Sequence, residues 1–107
     1  MTRFGNFIKT EREKLKLTQT QFGSKIGINT SAVSRIENGI QLINRNKLSK
    51  LSEIFQVNIL FIRDAYYADK FAKEAFKNHC NEQVFSTSKE VYKFLIQQNT
   101  IQGTLDI

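Results

Sequence analysis

One stretch, Thr18–Gly39, constrains this chain more than any other, because it sets two short helical patterns around two glycines. Thr18 followed by Gln21 is a capping-box pattern, in which side chain and backbone exchange hydrogen bonds at a helix start. Phe22 and Ile26 follow at i, i+4 spacing and predict a helix near residues 19–26. Gly27 can close it in the left-handed conformation. Asn29 can cap the next helix, near residues 30–38, with Val33 and Ile36 facing in. Two short helices on so short a connection can cross at a steep angle. The crossing needs a small residue where the second helix approaches the first, and Gly23 stands there.

The remaining elements follow from helical spacing. The 107 residues contain no proline, so Gly, Asn and Thr must bound the helices. Phe4, Phe7, Ile8 and Leu15 share a face and predict a first helix near residues 3–15. Gly39 ends the third helix, and Ile40–Ile43 is a loop of apolar content. Asn44 caps a fourth helix near residues 45–55, with Leu48, Leu51, Ile54 and Phe55 inward; Asn58 caps a fifth from Ile59. Tyr66, Phe71, Ala72, Ala75 and Phe76 continue the spacing to about Asn78. Residues 81–86 read as a loop, and Thr87 with Glu90 as a capping box for a last helix near 88–98. Strand alternation is weak, so the expected fold class is all-α. The expected organisation is a five-helix domain over residues 1–66, a helical extension over 67–98 and a loose tail over 99–107.

Charge narrows the partner. Sixteen Lys and Arg stand against ten Asp and Glu. Residues 1–50 hold ten of those bases and only three acids, a net +7, while residues 51–107 are near neutral. A polyanion is drawn to the first half. No apolar run reaches the length of a membrane span, and Met1–Asn6 has no apolar signal region, so a cytoplasmic protein without membrane contact is expected. The single cysteine excludes an internal disulfide and a multi-cysteine zinc site. His79 and Cys80 are adjacent, which is not metal-ligand spacing. No nucleophile–base arrangement or phosphate loop can be assembled, so no catalytic residue, metal or cofactor is expected.

The full spacing from Thr18 to Gly39 is that of a helix-turn-helix. It resembles the Cro/C1-type (XRE) helix-turn-helix family, which includes lambdoid phage repressors. The string Ser34-Arg35-Ile36-Glu37-Asn38-Gly39 is the most recognisable part of the likeness, which covers about residues 4–65. The resemblance implies a five-helix lambda-repressor-like DNA-binding domain. Two positions depart from the family: Gly23 replaces the usual Ala, at a cost of roughly 1 kcal/mol in helix propensity, and the usual proline before the fourth helix is missing. Residue by residue, the resemblance implies that the third helix lies in the major groove of double-stranded DNA. Thr30, Ser31, Ser34 and Arg35 would then meet base edges, with the Arg35 fork matched to guanine O6 and N7. Gln19 would bond a phosphate at the start of the second helix. Asn29, Asn44, Arg45 and Lys47 would hold flanking phosphates. Arg12 and Glu37 would form a structural ion pair joining the first helix to the end of the third.

From Ile59 onward the chain carries a dense apolar set: Ile59, Phe61, Ile62, Tyr66, Phe71, Phe76, Tyr92, Phe94 and Leu95. The expected use is a homodimer interface, because a two-fold dimer on a palindromic operator doubles the base pairs that one helix can read. A compact domain with a short helical extension is also similar to controller proteins of restriction–modification systems, with a likeness in Tyr66-Tyr67-Ala68-Asp69-Lys70. The expected function is thus a sequence-specific transcriptional regulator. The alternative is an antitoxin-like interaction module whose C-terminal helices cover a partner protein.

Overall fold

Side-chain caps mark the starts of several helices of this chain. The computed structural model describes residues 3–102. Among these it contains six α-helices and no strand, in agreement with the all-α expectation. They are α1 (Phe4–Lys14), α2 (Gln19–Ile26), α3 (Thr30–Glu37), α4 (Leu48–Phe55), α5 (Ile59–Lys77) and α6 (Gln83–Gln102), with a 3₁₀ turn, Arg45–Lys47, leading into α4. The Thr18 hydroxyl accepts from the Gln21 backbone while the Gln21 side chain accepts from the Thr18 N–H, the full capping box. Gly27 closes α2 at φ 84°, and Asn29 caps α3 by accepting from the Ala32 N–H at 2.8 Å. Asn44 caps the 3₁₀ turn rather than α4 itself, accepting from the Asn46 N–H.

The chain forms two compact units that divide after Phe71. The core of the first is built from α1 to the front of α5. Phe4, Ile8, Phe22, Val33, Leu51 and Ile62 are all buried, and Phe22 stacks on Phe55 with ring centroids 5.6 Å apart. The apolar loop after α3 has a physical use: Ile43 is buried in this core and Leu42 packs against it, while Ile40 stays in solvent. α1 has no side-chain cap of its own. Its Phe4 N–H is instead taken by the Asp69 carboxylate of α5 at 3.0 Å.

Two glycines set how closely the helices approach. A methyl at Gly23 would sit 2.5 Å from the Ile28 carbonyl oxygen and 3.2 Å from Val33 Cγ2. Glycine at this position therefore exchanges helix propensity for backbone proximity. Gly5, which the sequence pattern does not single out, has the same role between α1 and α3. Its added methyl would overlap the Ile36 carbonyl oxygen and lie 2.7 Å from that of Glu37.

Several expected boundaries shift. α5 runs unbroken through residues 66 and 67, so the expected division falls inside a helix. The last helix does not start at Thr87. It starts at Gln83, where Asn81 accepts from the Gln83 N–H at 2.9 Å, and no glycine or proline interrupts it before Thr87. It also continues past residue 98 to Gln102, so residues 99–102 are helical rather than tail; residues 103–107 lie outside the described residues. Two residues expected at a dimer interface belong to the core instead: Ile62 is fully buried and Tyr66 nearly so, packed edge-on to Phe4 at 5.6 Å. Ile59 is half-buried against the same core. Phe61 and Phe71 are about half exposed but already touch Phe7 and Tyr67.

Gly5→Ala and Gly23→Ala test the close approaches. Each adds helix propensity, yet each is expected to lower stability by about 1–3 kcal/mol, because a carbonyl oxygen cannot move aside as a side chain can. Thermal unfolding of the two variants measures this, and a raised melting temperature would contradict it.

Candidate nucleic-acid interface

α3 buries one face and exposes the other. Ala32, Val33, Ile36 and Glu37 point into the protein. Thr30, Ser31 and Arg35 are exposed and Ser34 is half-buried, so the four expected base-contacting residues share the outer side. The helical period dictates this once Val33 and Ile36 are in the core.

The orientation of that face is fixed from beneath. Arg12 and Glu37 meet in a bidentate pair, with Nε donating to Oε2 at 2.6 Å and Nη2 donating to Oε1 at 3.0 Å. Their side chains are only 10% and 2% exposed. The remaining polar capacity is also used: Arg12 Nη1 donates to the Leu17 carbonyl at 2.8 Å, and Gln19 Nε2 donates to Glu37 Oε1 at 3.1 Å. The hydrogen bond to Glu37 pushes the Arg12 pKa above the ordinary guanidinium value, outweighing the opposing effect of burial. Arg12 therefore stays charged, and the pair cannot be neutralised by loss of its proton at ordinary pH.

The residues expected to hold phosphates fare differently. Gln19, at the first position of α2, uses its amide nitrogen to hold Glu37 inside the protein, so its side chain has a structural role at this position. The Asn29 and Asn44 side-chain oxygens are both engaged as caps, although both residues are exposed. Arg45 is exposed on the 3₁₀ turn. Lys47 reaches toward the α2–α3 turn, where its ammonium lies 3.1 Å from the position a Gly27 Cβ would take.

Two contacts at the outer face are not expected from the sequence. The Thr20 and Thr30 hydroxyls are 2.9 Å apart and hydrogen-bonded, linking α2 to the start of α3. Arg35 Nε donates to the Gln41 side-chain oxygen at 2.8 Å. Side-chain pairs between exposed polar residues leave no mark in hydrophobic periodicity, so only the folded geometry reveals them.

Comparison with known proteins agrees with this geometry. A family model described as Helix-turn-helix matches residues 8–62. Among solved structures, the chain is similar to the P22 c2 repressor, crystallised with a synthetic operator in the presence of Tl+. The two share 27% identity and a TM-score of 0.53 over 58% of this chain and 94% of the repressor chain. No curated protein sequence matches the chain.

Breaking the buried pair from one side should be costly. Arg12→Met leaves the Glu37 carboxylate buried without its counter-charge and is expected to destabilise by about 3–5 kcal/mol. Adding Glu37→Leu to Arg12→Met should recover part of that loss, because the double variant buries no charge. Denaturant unfolding of the single and double variants decides the matter, and strictly additive losses would contradict the pairing.

Proposed function

The chain belongs to the helix-turn-helix family, of the Cro/C1 (XRE) type, and from that premise we propose that it is a sequence-specific DNA-binding transcriptional regulator. α3 enters the major groove and meets base edges with Thr30, Ser31, Ser34 and Arg35. The carrying observation is the outer face of α3, where these polar side chains share one side of a helix anchored by a buried ion pair. Support comes from the similar P22 c2 repressor, whose crystal structure is a complex with a synthetic operator. The +7 charge of the first fifty residues adds sequence-independent attraction to phosphate. Lys47 and Arg45 are the proposed phosphate contacts, with backbone N–H groups at the helix starts; Gln19, Asn29 and Asn44 act by shaping the surface.

We further propose that the protein works as a homodimer through residues 67–98. Phe76, Tyr92 and Phe94 leave more than half of their surface in solvent, and Leu95 is half-buried. These exposed aromatic groups support a role in association. A two-fold dimer would address half-sites about 34 Å apart, or a multiple of that. The narrower reading, a controller of restriction–modification genes, is supported by size and helical layout alone. In the pentapeptide that resembles such controllers, Tyr66 and Asp69 are accounted for by the core and by the α1 cap. No helix among the described residues is long and apolar enough to cross a membrane.

Arg35→Ala is expected to weaken binding to a duplex selected from random DNA by about 1–3 kcal/mol, with little change on a scrambled duplex at the same salt. Equal losses on both duplexes would contradict base reading by Arg35. Light scattering on the purified chain should give the mass of a dimer, and Phe94→Glu should give that of a monomer. A wild-type monomer that aggregates would instead favour the antitoxin-like reading, in which these helices cover a different protein.

A further inference from the structure

Gln41 lies outside the helix-turn-helix, yet it is bonded to Arg35 of the proposed reading face. Its side-chain oxygen accepts from Arg35 Nε at 2.8 Å. The backbone returns to the same residue: the Ile40 and Gln41 N–H groups donate to the Arg35 carbonyl at 2.9 and 3.4 Å. Gly39, at φ 77°, supplies the reversal that makes this possible. Two residues further on, Ile43 is buried in the core. Gln41 is therefore held between a tight reversal on one side and a core anchor on the other.

We propose that Gln41 is a positioning residue for base readout, holding the Arg35 guanidinium through Nε so that both Nη groups are presented for guanine. This rests on the reading of Arg35 as a base contact. The chemistry fits the geometry. An arginine fork can meet guanine O6 and N7 with its two Nη groups, and Nε is then the one guanidinium nitrogen that faces no base atom. A long, exposed arginine loses much rotamer freedom when it docks, and a hydrogen bond that restrains it beforehand reduces that loss. Gln41 acts through Arg35 and needs no contact of its own with a base. Thr20 is placed similarly toward Thr30 at the other end of α3.

The test uses the full chain, a duplex selected from random DNA by the wild-type protein, and a scrambled duplex at the same salt. Gln41→Ala and Gln41→Met, the second keeping length without an oxygen, should each weaken binding to the selected duplex by about three- to tenfold. Binding to the scrambled duplex and the melting temperature should not change. In an Arg35→Ala background, either replacement of Gln41 should have no further effect. A loss that persists in that background, a loss shared by the scrambled duplex, a lowered melting temperature, unchanged binding or tighter binding would each overturn the proposal. Arg35→Ala alone separates the two levels. If it leaves the preference for the selected duplex intact, the base-contact reading fails and the role of Gln41 fails with it. If it abolishes the preference while Gln41 variants bind normally, only the role of Gln41 fails.

Discussion

The buried pair between Arg12 and Glu37 is the constraint on which the rest of the first unit depends. Two charges removed from water are tolerated only when their geometry is good and their remaining polar atoms are satisfied. Here the pair is bidentate, the spare guanidinium nitrogen bonds the Leu17 carbonyl, and Gln19 bonds the carboxylate. Four pieces of chain therefore converge on one point: the last turn of α1, the connection that follows it, the first residue of α2 and the last residue of α3. Apolar packing is non-directional: it keeps Val33 and Ile36 inward but sets the exact rotation of α3 only loosely. A fork-to-carboxylate pair is directional, so it fixes the axial rotation of α3 and with it the side that faces outward.

Glycine works with that pair by allowing backbones to meet. Gly5 lets α1 lie against the carbonyls at the end of α3, where Glu37 stands, and Gly23 lets α2 lie against the turn that precedes α3. Caps then fix the ends. Asn29 starts α3, and the reversal at Gly39 ends the segment and returns Gln41 to Arg35. The outer residues of α3 are thus positioned from the buried side and tied at both ends by exposed side chains. On the proposed reading, this arrangement lets short, polar side chains discriminate between bases without large movements on binding.

What can be read from the sequence is local. The Thr18–Gln21 box, the Gly27 closure, the Asn29 cap and the inward placement of Val33 and Ile36 all depend on neighbours within a few residues, and the structure has each of them. The Arg12–Glu37 pairing spans twenty-five positions and comes only through family resemblance, not from spacing. Gly5, the Asp69 cap on α1 and the Gln19 bond to Glu37 also act between distant positions and leave no pattern to find. The start of α6 is hard to place because capping-box patterns are common: Thr87 with Glu90 matches one, while Asn81 supplies the actual cap. Apolar density around Ile59–Tyr66 does not distinguish core from surface, since helical periodicity reports a buried face without saying what buries it. Ile62 and Tyr66 turn inward; Phe76 and Tyr92 do not.

The central claim is that α3 meets guanine in the major groove through Arg35, and guanine N7 methylation tests it most directly. A selected duplex is methylated at N7 before binding, and bound and free molecules are compared position by position. The account predicts interference at a guanine repeated in both half-sites, and loss of that sensitivity in Arg35→Ala. Binding that ignores N7 methylation throughout, or an Arg35→Ala variant with the wild-type interference pattern, would contradict it.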